Sequence, residues 1–376
     1  MTEQGFDKVP FLDLAAGYAE LAAELEPAVL EATRSGMYIG GPQVEAFESE
    51  FASYVGAPHC IGVGNGLDAL MLALMAVGVG SGDEVIVPSH TFIATWLAVS
   101  RLGAIPVPVE PDPATMNLST AGLEAAMTPR TKAIMPVHLY GQSADLEPIR
   151  SLAARRGVFV IEDAAQAHGA EYRGRRIGAH GHAIAWSFYP GKNLGAYGDA
   201  GAVTTSHADI ADRIRMLRNY GSRRKYVHEM QGINSRLDPV QAAMLRIRLR
   251  HLDQWNARRQ SIAARYLHEL EGARVMLPVV ADWATHVWHL FVVRVRSRDT
   301  VQQGLAGRGI ETLIHYPTPP HRQGGYASTA VGLSSLPIAE GLAESVLSLP
   351  IGPHLRDDQV DRVIEAVHAC CKVPVA

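Results

Sequence analysis

The central part of the chain alternates short apolar runs with stretches of helical periodicity. Runs with almost no polar position are typical of strands in a sheet that is covered on both faces. Between about 60 and 205 these runs are EVIVP (84–88), PVPVE (106–110), AIMPV (133–137), VFVIED (158–163), AIAWSF (183–188) and GAVTT (201–205). Between them, apolar residues return at helical spacing, as in Leu67, Leu70, Met71, Leu74 and Met75. Strands separated by helices predict parallel pairing and a doubly wound α/β domain.

The pattern changes after residue 205. The stretch 235–270 has helical periodicity throughout, with Asp238 predicted as the N-cap and Pro239 at the first helical position. Because this stretch is longer than a typical globular helix, we expect it to span two bodies or to contain a kink. Beyond it the patterns predict a strand over 286–295, a helix over 299–309 and a closing helix over 357–371.

These patterns predict a large and a small domain. The large domain is a doubly wound, mostly parallel sheet over 1–250, and a smaller C-terminal α+β domain follows over 251–376. The first forty residues are predicted to be helical. Since they are too few to form a core of their own, we expect them to pack on one of the domains.

Composition and charge exclude several classes of protein. Among 376 residues, 47% are hydrophobic and 19% charged, which favours a large buried core over disorder. A net charge of −4 gives no electrostatic case for nucleic acid or an anionic membrane. The N-terminus lacks an apolar signal core, and no window is apolar enough for a membrane span. The three cysteines have no CxxC spacing. We therefore expect a cytoplasmic protein without structural zinc.

A glycine-rich turn, GVGNG, precedes the helical pattern that begins near Leu67. Bare backbone amides at a helix N-terminus form an anion site. The spacing is GxGxG rather than GxGxxG, the preceding segment is a poor strand pattern, and no acidic residue stands at the expected distance at a strand end. A single phosphate therefore fits better than a dinucleotide. A plain glycine turn carries equal weight.

A carboxylate and a lysine stand near the ends of successive predicted strands. VFVIED ends in Asp163, and ligands of open α/β sheets bind beyond the carboxyl ends of the strands. A carboxylate there can meet a cationic ring nitrogen, although Asp is equally favoured as a helix N-cap. Lys192 follows the next strand, in WSFYPGKNLGAYGDAGAV (186–203). Taken alone it is more simply explained as a surface charge than as a nucleophile.

The glycine turn, Asp163 and Lys192 together match the needs of pyridoxal phosphate. This cofactor requires a lysine amine for its covalent attachment, a carboxylate that keeps the pyridine nitrogen protonated, and an anion site for its phosphate. Lysine then carries the proton between two carbons as general base and general acid. The combination predicts a pyridoxal-phosphate enzyme.

Six blocks in order along the chain resemble the sugar aminotransferases of the DegT/DnrJ/EryC1/StrS family, over about residue 10 to the C-terminus. The blocks are GVGNGLDAL, VPSHTFIAT, PVHLYGQ, EDAAQAHGA, SFYPGKNLGAYGDAGAV and GINSRLDPVQAA. Within the family, LIHYPTPPH and the SFYPGKN form are most similar to enzymes that aminate C3 of nucleotide-linked 3-keto-6-deoxysugars. The resemblance implies a fold-type I aminotransferase that forms a homodimer with active sites at the subunit interface.

The resemblance also implies roles for individual residues. It attaches the cofactor to Lys192, pairs Asp163 with the pyridine nitrogen, sets Gln166 at the ring hydroxyl and stacks Phe92 on the ring. The phosphate would be held by Gly66, Leu67 and Ser187, and by Asn234 of the neighbouring subunit. The loop with His315, Tyr316 and His321 is expected near the sugar nucleotide. Apart from the resemblance, Arg223 and Arg224 are candidate contacts for the substrate, and Tyr189 either lies beside Lys192 at the site or packs in the core.

The expected reaction is transamination of a dTDP-linked keto-deoxysugar with L-glutamate as donor. A sugar dehydratase, a cyclitol aminotransferase and a 4-keto sugar aminotransferase are the alternatives. Dehydratases of the family carry histidine where this chain has Lys192, which favours amino transfer. A protein that keeps the fold without catalysis is disfavoured because lysine, acid and phosphate site are all present.

Other polar residues have simpler explanations. His286 and His289 lie in an apolar run without a carboxylate partner, so they are predicted to pack in the core rather than bind metal. The basic loop with Arg223, Arg224 and Lys225 is either solvated surface or a contact for the diphosphate. His90 stands where the resemblance leads us to expect asparagine before Thr91 and Phe92. Any role tied to an amide at that position is therefore in doubt.

Overall fold

The computed structural model describes residues 8–371, so the first seven and last five residues of the two predicted domains lie outside the described residues. The helices are α1 (Leu14–Arg34), α2 (Pro42–Val55), α3 (Gly66–Ala76), α4 (Ile93–Ser100), α5 (Leu123–Ala126), α6 (Leu146–Arg156), α7 (Ala208–Leu217), α8 (Pro239–Glu269), α9 (Arg298–Ala306), α10 (Pro337–Ser345) and α11 (Asp357–Cys371). The strands are β1 (His59–Val63), β2 (Glu84–Pro88), β3 (Ile105–Val109), β4 (Thr131–Ile134), β5 (Phe159–Asp163), β6 (Glu171–Tyr172), β7 (Arg175–Arg176), β8 (Ala183–Ser187), β9 (Gly201–Thr205), β10 (Ala284–Thr285), β11 (Phe291–Arg294) and β12 (Val346–Leu349).

A seven-stranded, mostly parallel sheet forms the centre of the molecule, as the apolar runs predict. Its strand order is β1-β9-β8-β5-β4-β2-β3, and β3, β2, β4, β5 and β8 pair in parallel. Strand β9 is antiparallel to both of its neighbours. A parallel partner needs a crossover of a dozen or more residues, usually through a helix. The segment between β8 and β9 contains no helix in the described chain, and it carries Lys192 instead.

Two local expectations before Lys192 are corrected by the structure. The segment before GVGNG is not a poor strand, because His59–Val63 pairs along its whole length with β9. Edge pairing of a short strand does not require the continuous apolar run that the central strands show. Helix α3 also lacks the single apolar face predicted from Leu67 to Met75. Buried residues such as Leu72 and Ala73 lie between the predicted positions, because α3 is enclosed by the sheet and by α4 and α7.

Helix α8 is one continuous helix of 31 residues that contributes to two cores. Its first half, with Leu245 and Leu252, packs in the core beneath the large sheet, whereas Ala263 and Tyr266 belong to the C-terminal core. Asp238 does occupy the N-cap position, although its side chain makes no capping hydrogen bond within residues 8–371. Since α8 crosses residue 250 without a break, the division of the chain there stays a prediction.

The N-terminal helix α1 packs against α8, as expected for a segment without its own core. Leu21 and Leu25 meet Met244, Ile247 and Trp255 across this contact. Upstream of α1, Val9 is fully buried in the C-terminal core and pairs with Ile310 in an isolated parallel bridge. The two ends of the chain are therefore joined through one core.

The C-terminal part is an α+β unit built on the antiparallel pair β11–β12. Helices α9 and α11 and the end of α8 cover this pair. The strand predicted over 286–295 forms only at Phe291–Arg294. Upstream of it, Trp288 has a left-handed backbone with φ of 49° and stacks on His286, which is incompatible with an extended strand. No helix within residues 8–371 combines the length and apolarity needed to cross a bilayer.

Candidate active site

Lys192 lies in the loop that joins β8 to β9. Backbone hydrogen bonds close this loop on itself, from Lys192 to the Tyr189 carbonyl at 2.8 Å and from Phe188 to the Ala200 carbonyl at 2.8 Å. Gly195 packs on the backbone of Pro190, where a Cβ would come within 2.3 Å of the carbonyl oxygen. The glycine is therefore required by the close approach of the loop to itself.

The Asn193 side chain anchors the loop to the residues beneath it through hydrogen bonds. Its Nδ2 donates to Asn256 Oδ1 and to the Val287 carbonyl, both at 2.9 Å, and its Oδ1 lies 3.2 Å from His289 Nδ1. Asn256 in turn donates to the His168 carbonyl at 2.9 Å. Asn193 and Asn256 are both buried, so their hydrogen bonds hold Asn193, the residue that follows Lys192, in one position.

The surroundings of the Lys192 amine favour a role as a nucleophile over that of a solvent-exposed salt-bridge partner. Burial lowers the pKa of Lys192 to about 8, and the nearby Asp163 carboxylate only partly opposes this shift. Burial, and to a lesser degree the Lys192 charge, lower the pKa of His168 to about 3 and that of His315 to about 4. The imidazoles of His168 and His315 are thus neutral at pH 7, and about a tenth of Lys192 is an uncharged nucleophile at that pH.

Asp163 lies at the carboxyl end of β5, as predicted, and is buried. Its Oδ2 accepts a hydrogen bond from Thr95 Oγ1 at 2.9 Å, and its Oδ1 accepts one from the Ala165 amide at 3.2 Å. Thr95 is hydrogen-bonded to Thr91 at 2.9 Å. Burial raises the pKa of Asp163, while Ala165, Thr95 and Lys192 act to lower it. A cation brought to this carboxyl would stabilise its ionised form.

Glu162, the adjacent acid, does not share the site. Because side chains alternate along a strand, it points to the opposite face. There its Oε2 lies 2.8 Å from His138 Nε2, and its Oε1 accepts a hydrogen bond from the Gly181 amide. His138 Nδ1 accepts from the Ala144 amide at 3.1 Å, so its Nε2 carries the proton toward Glu162.

Aromatic side chains line the space above Asp163. The Phe92 ring is half exposed and lies 5.5 Å from the Tyr316 ring, centre to centre. Gln166 Nε2 donates to the Tyr316 hydroxyl at 3.0 Å, and Gln166 Oε1 accepts from the Tyr140 amide at 2.6 Å. Phe92, Gln166 and Tyr316 therefore share one location, as predicted.

The predicted phosphate site is formed by the start of α3 and the end of β8. A Cβ on Gly66 would stand 2.6 Å from the Ser187 Cβ, so the two residues are in direct contact. The Asn65 side chain caps α3 by accepting from the Asp68 amide at 2.8 Å. The Gly66 and Leu67 amides belong to the first turn, where a helix offers no internal acceptor. The first-turn amides of α3 thus lie against Ser187 at the end of β8, the strand that leads into the Lys192 loop.

Other predicted residues are not joined to this centre within one chain. His321 is buried and lies 2.9 Å from Glu340 on α10. Arg223 forms ion pairs with Asp212 at 3.6 Å and with Glu229 at 3.7 Å. Arg224 and Asn234 are exposed.

The two tyrosines that flank Lys192 differ in their surroundings. Tyr189 is 59% exposed, so its ring is free to meet a ligand. Tyr197 instead contacts Tyr18 edge-on at 6.1 Å and accepts a hydrogen bond from Arg248 at 3.2 Å.

His286 is buried and His289 is partly buried. His286 stacks on Trp288 at 3.9 Å, and His289 meets Asn193. In the described range 8–371 no group of three or more His, Cys, Asp or Glu side chains is arranged to hold a metal ion.

Sequence reasoning missed three residues that order the site: Thr95, Tyr140 and Asn193. Thr95 lies three positions after Phe92, at the start of α4, where it reaches the adjacent strand end. Tyr140 follows the apolar run AIMPV, and its backbone is left-handed with φ of 60°. Only Asn193 carried a signal, as a buried amide directly after a candidate nucleophile.

The residues present fit pyridoxal phosphate. Gly66 leaves room that any Cβ would fill, Asp163 is a buried acid at a strand end, and Lys192 has a lowered pKa. Each of these features meets one requirement of the cofactor, for phosphate, ring nitrogen and aldehyde respectively.

Comparisons with known proteins agree with this fit. Residues 19–368 match the DegT/DnrJ/EryC1/StrS aminotransferase family. The chain is 57% identical over 361 residues to the dTDP-3-amino-3,4,6-trideoxy-alpha-D-glucose transaminase of Streptomyces venezuelae, covering 96% of this chain and 95% of that protein. It is 52% identical over 360 residues to the dTDP-3-amino-3,6-dideoxy-alpha-D-galactopyranose transaminase of Aneurinibacillus thermoaerophilus, covering 96% and 99%.

A solved structure is equally similar. The crystal structure of S. venezuelae DesV superposes with a TM-score of 0.96 at 56% identity, covering 98% of this chain and 99% of that one. The resemblance, the fold-type I class, the aminotransferase activity and the dependence on pyridoxal phosphate are thereby confirmed. The chain belongs to the DegT/DnrJ/EryC1/StrS aminotransferase family.

Proposed function

We propose that this aminotransferase moves an amino group from L-glutamate to C3 of a dTDP-linked 3-keto-deoxysugar. The observation that carries the proposal is a desolvated Lys192 amine within electrostatic range of Asp163 at the end of β5, on the loop that follows Ser187 and its Gly66 neighbour at the start of α3. The choice of sugar rests on relatives more than 50% identical whose names specify dTDP-linked 3-amino sugars.

In this proposal the cofactor is held at four points. The Gly66 and Leu67 amides and the Ser187 hydroxyl bind its phosphate, and Asp163 binds its ring nitrogen. Phe92 covers the ring and Gln166 meets the ring hydroxyl. Thr95 keeps the Asp163 carboxylate aimed at the ring through the 2.9 Å hydrogen bond.

Lys192 does the proton work. The bound cofactor supplies an electron sink and carries the amino group between the two substrates. The Lys192 amine would take a proton from one carbon as general base and return it to another as general acid. A pKa of about 8 suits both directions near neutral pH, because neither the free amine nor its conjugate acid is scarce.

The sugar nucleotide meets the loop over 315–321 in this account. Tyr316 borders the Phe92 ring and contacts the His315 ring edge-on, and both loop residues are partly exposed. His321 anchors the far end of the loop through Glu340. Tyr189 contributes an exposed ring on the Lys192 side.

We further propose a homodimer in which each site borrows Asn234, Arg223 and Arg224 from its partner. These residues are exposed, and they lie apart from the chain's own Asp163 and Tyr316 contacts. Apolar side chains are exposed nearby in sequence, with Tyr220 48% and Tyr226 82% accessible, and Tyr38 in the α1–α2 connection is 60% accessible. Exposed aromatics of this kind are typical of protein interfaces.

Three free cysteines accord with a reducing cytoplasm.

A panel of acceptors tests the reaction. Purified protein with glutamate is offered dTDP-linked 3-keto and 4-keto sugars and a cyclitol ketone, and products are identified by mass spectrometry. We expect the amino sugar from the 3-keto substrate alone. An aminated 4-keto sugar or cyclitol, or loss of water without gain of nitrogen, assigns one of the alternative activities instead.

A further inference from the structure

A hydrogen-bonded chain connects the end of β2 with the loop over 315–321. His90, two residues past β2, is buried, and its Nε2 lies 2.7 Å from the Tyr140 hydroxyl. The Tyr140 hydroxyl also bonds to the main-chain carbonyl of His315. His90 is thus linked to the loop through one tyrosine side chain.

The direction of each hydrogen bond follows from the groups involved. The His315 carbonyl can only accept, so Tyr140 spends its single hydroxyl proton there. The Tyr140 oxygen must then accept from His90, which fixes the proton of His90 on Nε2. Burial lowers the pKa of His90 to about 4, so the ring is neutral at physiological pH and keeps this tautomer.

Tyr140 also acts through its main chain. Its amide donates to Gln166 Oε1 at 2.6 Å, which turns Gln166 Nε2 toward the Tyr316 hydroxyl at 3.0 Å. Tyr140 therefore holds two consecutive loop residues, His315 through its hydroxyl and Tyr316 through Gln166. Its left-handed backbone is accommodated because Gly141 follows, packed on the amides of Trp288 and His289.

We propose that His90 is a positioning residue that sets the pose of the 315–316 segment for the sugar nucleotide by donating to Tyr140. It touches neither substrate nor cofactor and acts only through the tyrosine. The inference rests on the proposed function in one respect, that the 315–321 loop meets the sugar nucleotide.

The length of the side chain at position 90 is critical. The imidazole Nε2 lies one bond further from the backbone than the amide nitrogen of asparagine, whereas glutamine carries a donor at a similar reach. A donor shorter than histidine would leave the Tyr140 oxygen without its partner inside a buried site. Losing one such hydrogen bond costs about 1 to 2 kcal/mol, which corresponds to a roughly tenfold loss of affinity for the sugar nucleotide.

Four variants separate positioning from general damage: His90→Phe, His90→Asn, His90→Gln and Tyr140→Phe. The two half-reactions are measured apart, with glutamate followed by the change in cofactor absorbance and the sugar nucleotide followed by product. We expect His90→Phe, His90→Asn and Tyr140→Phe to raise KM for the sugar nucleotide about tenfold, with the glutamate half-reaction within about twofold of the parent. His90→Gln should recover most of the affinity. His180→Phe, a buried histidine outside this chain of bonds, is the matched control.

Hydrogen exchange supplies a readout that does not depend on any substrate. Amides over 313–319 should exchange faster in His90→Phe and Tyr140→Phe than in the parent or in His180→Phe, and the double variant should be no worse than either single one. Equal losses in both half-reactions, unchanged exchange, or additive effects in the double variant would overturn the positioning role. Faster exchange in a protein that does not aminate a 3-keto sugar would support the chain of bonds and reject only the proposed substrate.

Discussion

At the scale of single residues, the site depends on how burial changes the chemistry of ordinary side chains. Lys192 alone is a lysine in a glycine-rich turn, and it becomes a nucleophile because desolvation at its partly buried position lowers its pKa to about 8. Asp163 becomes a partner for a cation because it is buried and its two oxygens accept hydrogen bonds from Thr95 and Ala165, which carry no charge. The sequence predicts both identities, whereas the size of the pKa shift requires the fold.

The lowered pKa of Lys192 predicts a pH dependence of cofactor capture. Only the uncharged amine attacks an aldehyde, so the rate at which cofactor-free protein binds pyridoxal phosphate covalently should rise with pH and level off above about 8. The unperturbed lysine would give a rise toward 10.5 instead. Stopped-flow absorbance from pH 6.5 to about 10 measures this rate. A rise that continues without a plateau would contradict the buried, neutral amine.

Gly66 predicts a selective loss of phosphate binding. In Gly66→Ala the new methyl group would stand 2.6 Å from the Ser187 Cβ, so α3 and β8 must separate at the phosphate site. We expect the Kd for pyridoxal phosphate to rise tenfold or more, which fluorescence titration of the cofactor-free protein measures.

Gly80→Ala is the matched control for this prediction. The space around a Cβ at Gly80 is open within 4 Å, and its backbone is not left-handed. An equal loss of cofactor affinity in both variants would argue against a phosphate site at Gly66.

At the scale of elements, the apolar runs predict the central strands well because buried parallel strands need almost no polar residue. β2 and β9 agree with the prediction at both ends, and α11 does so as well. β1 was missed because its pairing with β9 stabilises it, whereas its own residues do not form the continuous apolar run of the central strands. The break at Trp288 was missed for a related reason, since the stacking of His286 on Trp288 is a tertiary contact.

Helix α8 links the Lys192 loop to the core through Asn256, which predicts a stability effect. Asn256→Ala removes one of the two acceptors of the Asn193 amide and the side-chain donor to the His168 carbonyl. We expect the free energy of unfolding to fall by about 2 to 3 kcal/mol, together with slower turnover. Ser261→Ala, which removes an exposed hydrogen bond to the Ala257 carbonyl on the same helix, should change little. Chemical denaturation of both variants measures this, and equal stabilities would remove Asn256 from the account.

At the scale of the whole molecule, the resemblance to the family predicts contacts between subunits, which the structure of one chain cannot display. The fold could be predicted, because apolar runs and ordered sequence blocks mark the central strands and their ends, whereas the roles assigned around Lys192 stay predictions. The surroundings of Asn234, Arg223 and Arg224 could not be derived from one chain. These residues are exposed here, and the ion pairs that Arg223 makes are with Asp212 and Glu229 of its own chain, so their role in a shared site stays a prediction.

Shared sites predict complementation between inactive subunits. Lys192→Ala and Asn234→Ala homodimers should each have little or no activity. After subunit exchange, a mixed dimer contains about one intact site, formed by Lys192 of one chain and Asn234 of the other. Activity assays before and after exchange measure this. Failure to recover activity, while native mass spectrometry detects mixed dimers, would mean that each chain completes its own site.

The position of the transferred nitrogen tests the central claim most directly. The protein is incubated with nitrogen-15 glutamate and a dTDP-linked 3-keto-deoxysugar, and the product is examined by NMR, with Lys192→Ala as the blank. We predict nitrogen-15 bonded to C3 of the sugar in the parent protein and unlabelled substrate in the variant. Label at another carbon, no label in the sugar, or equal labelling by Lys192→Ala would contradict the account.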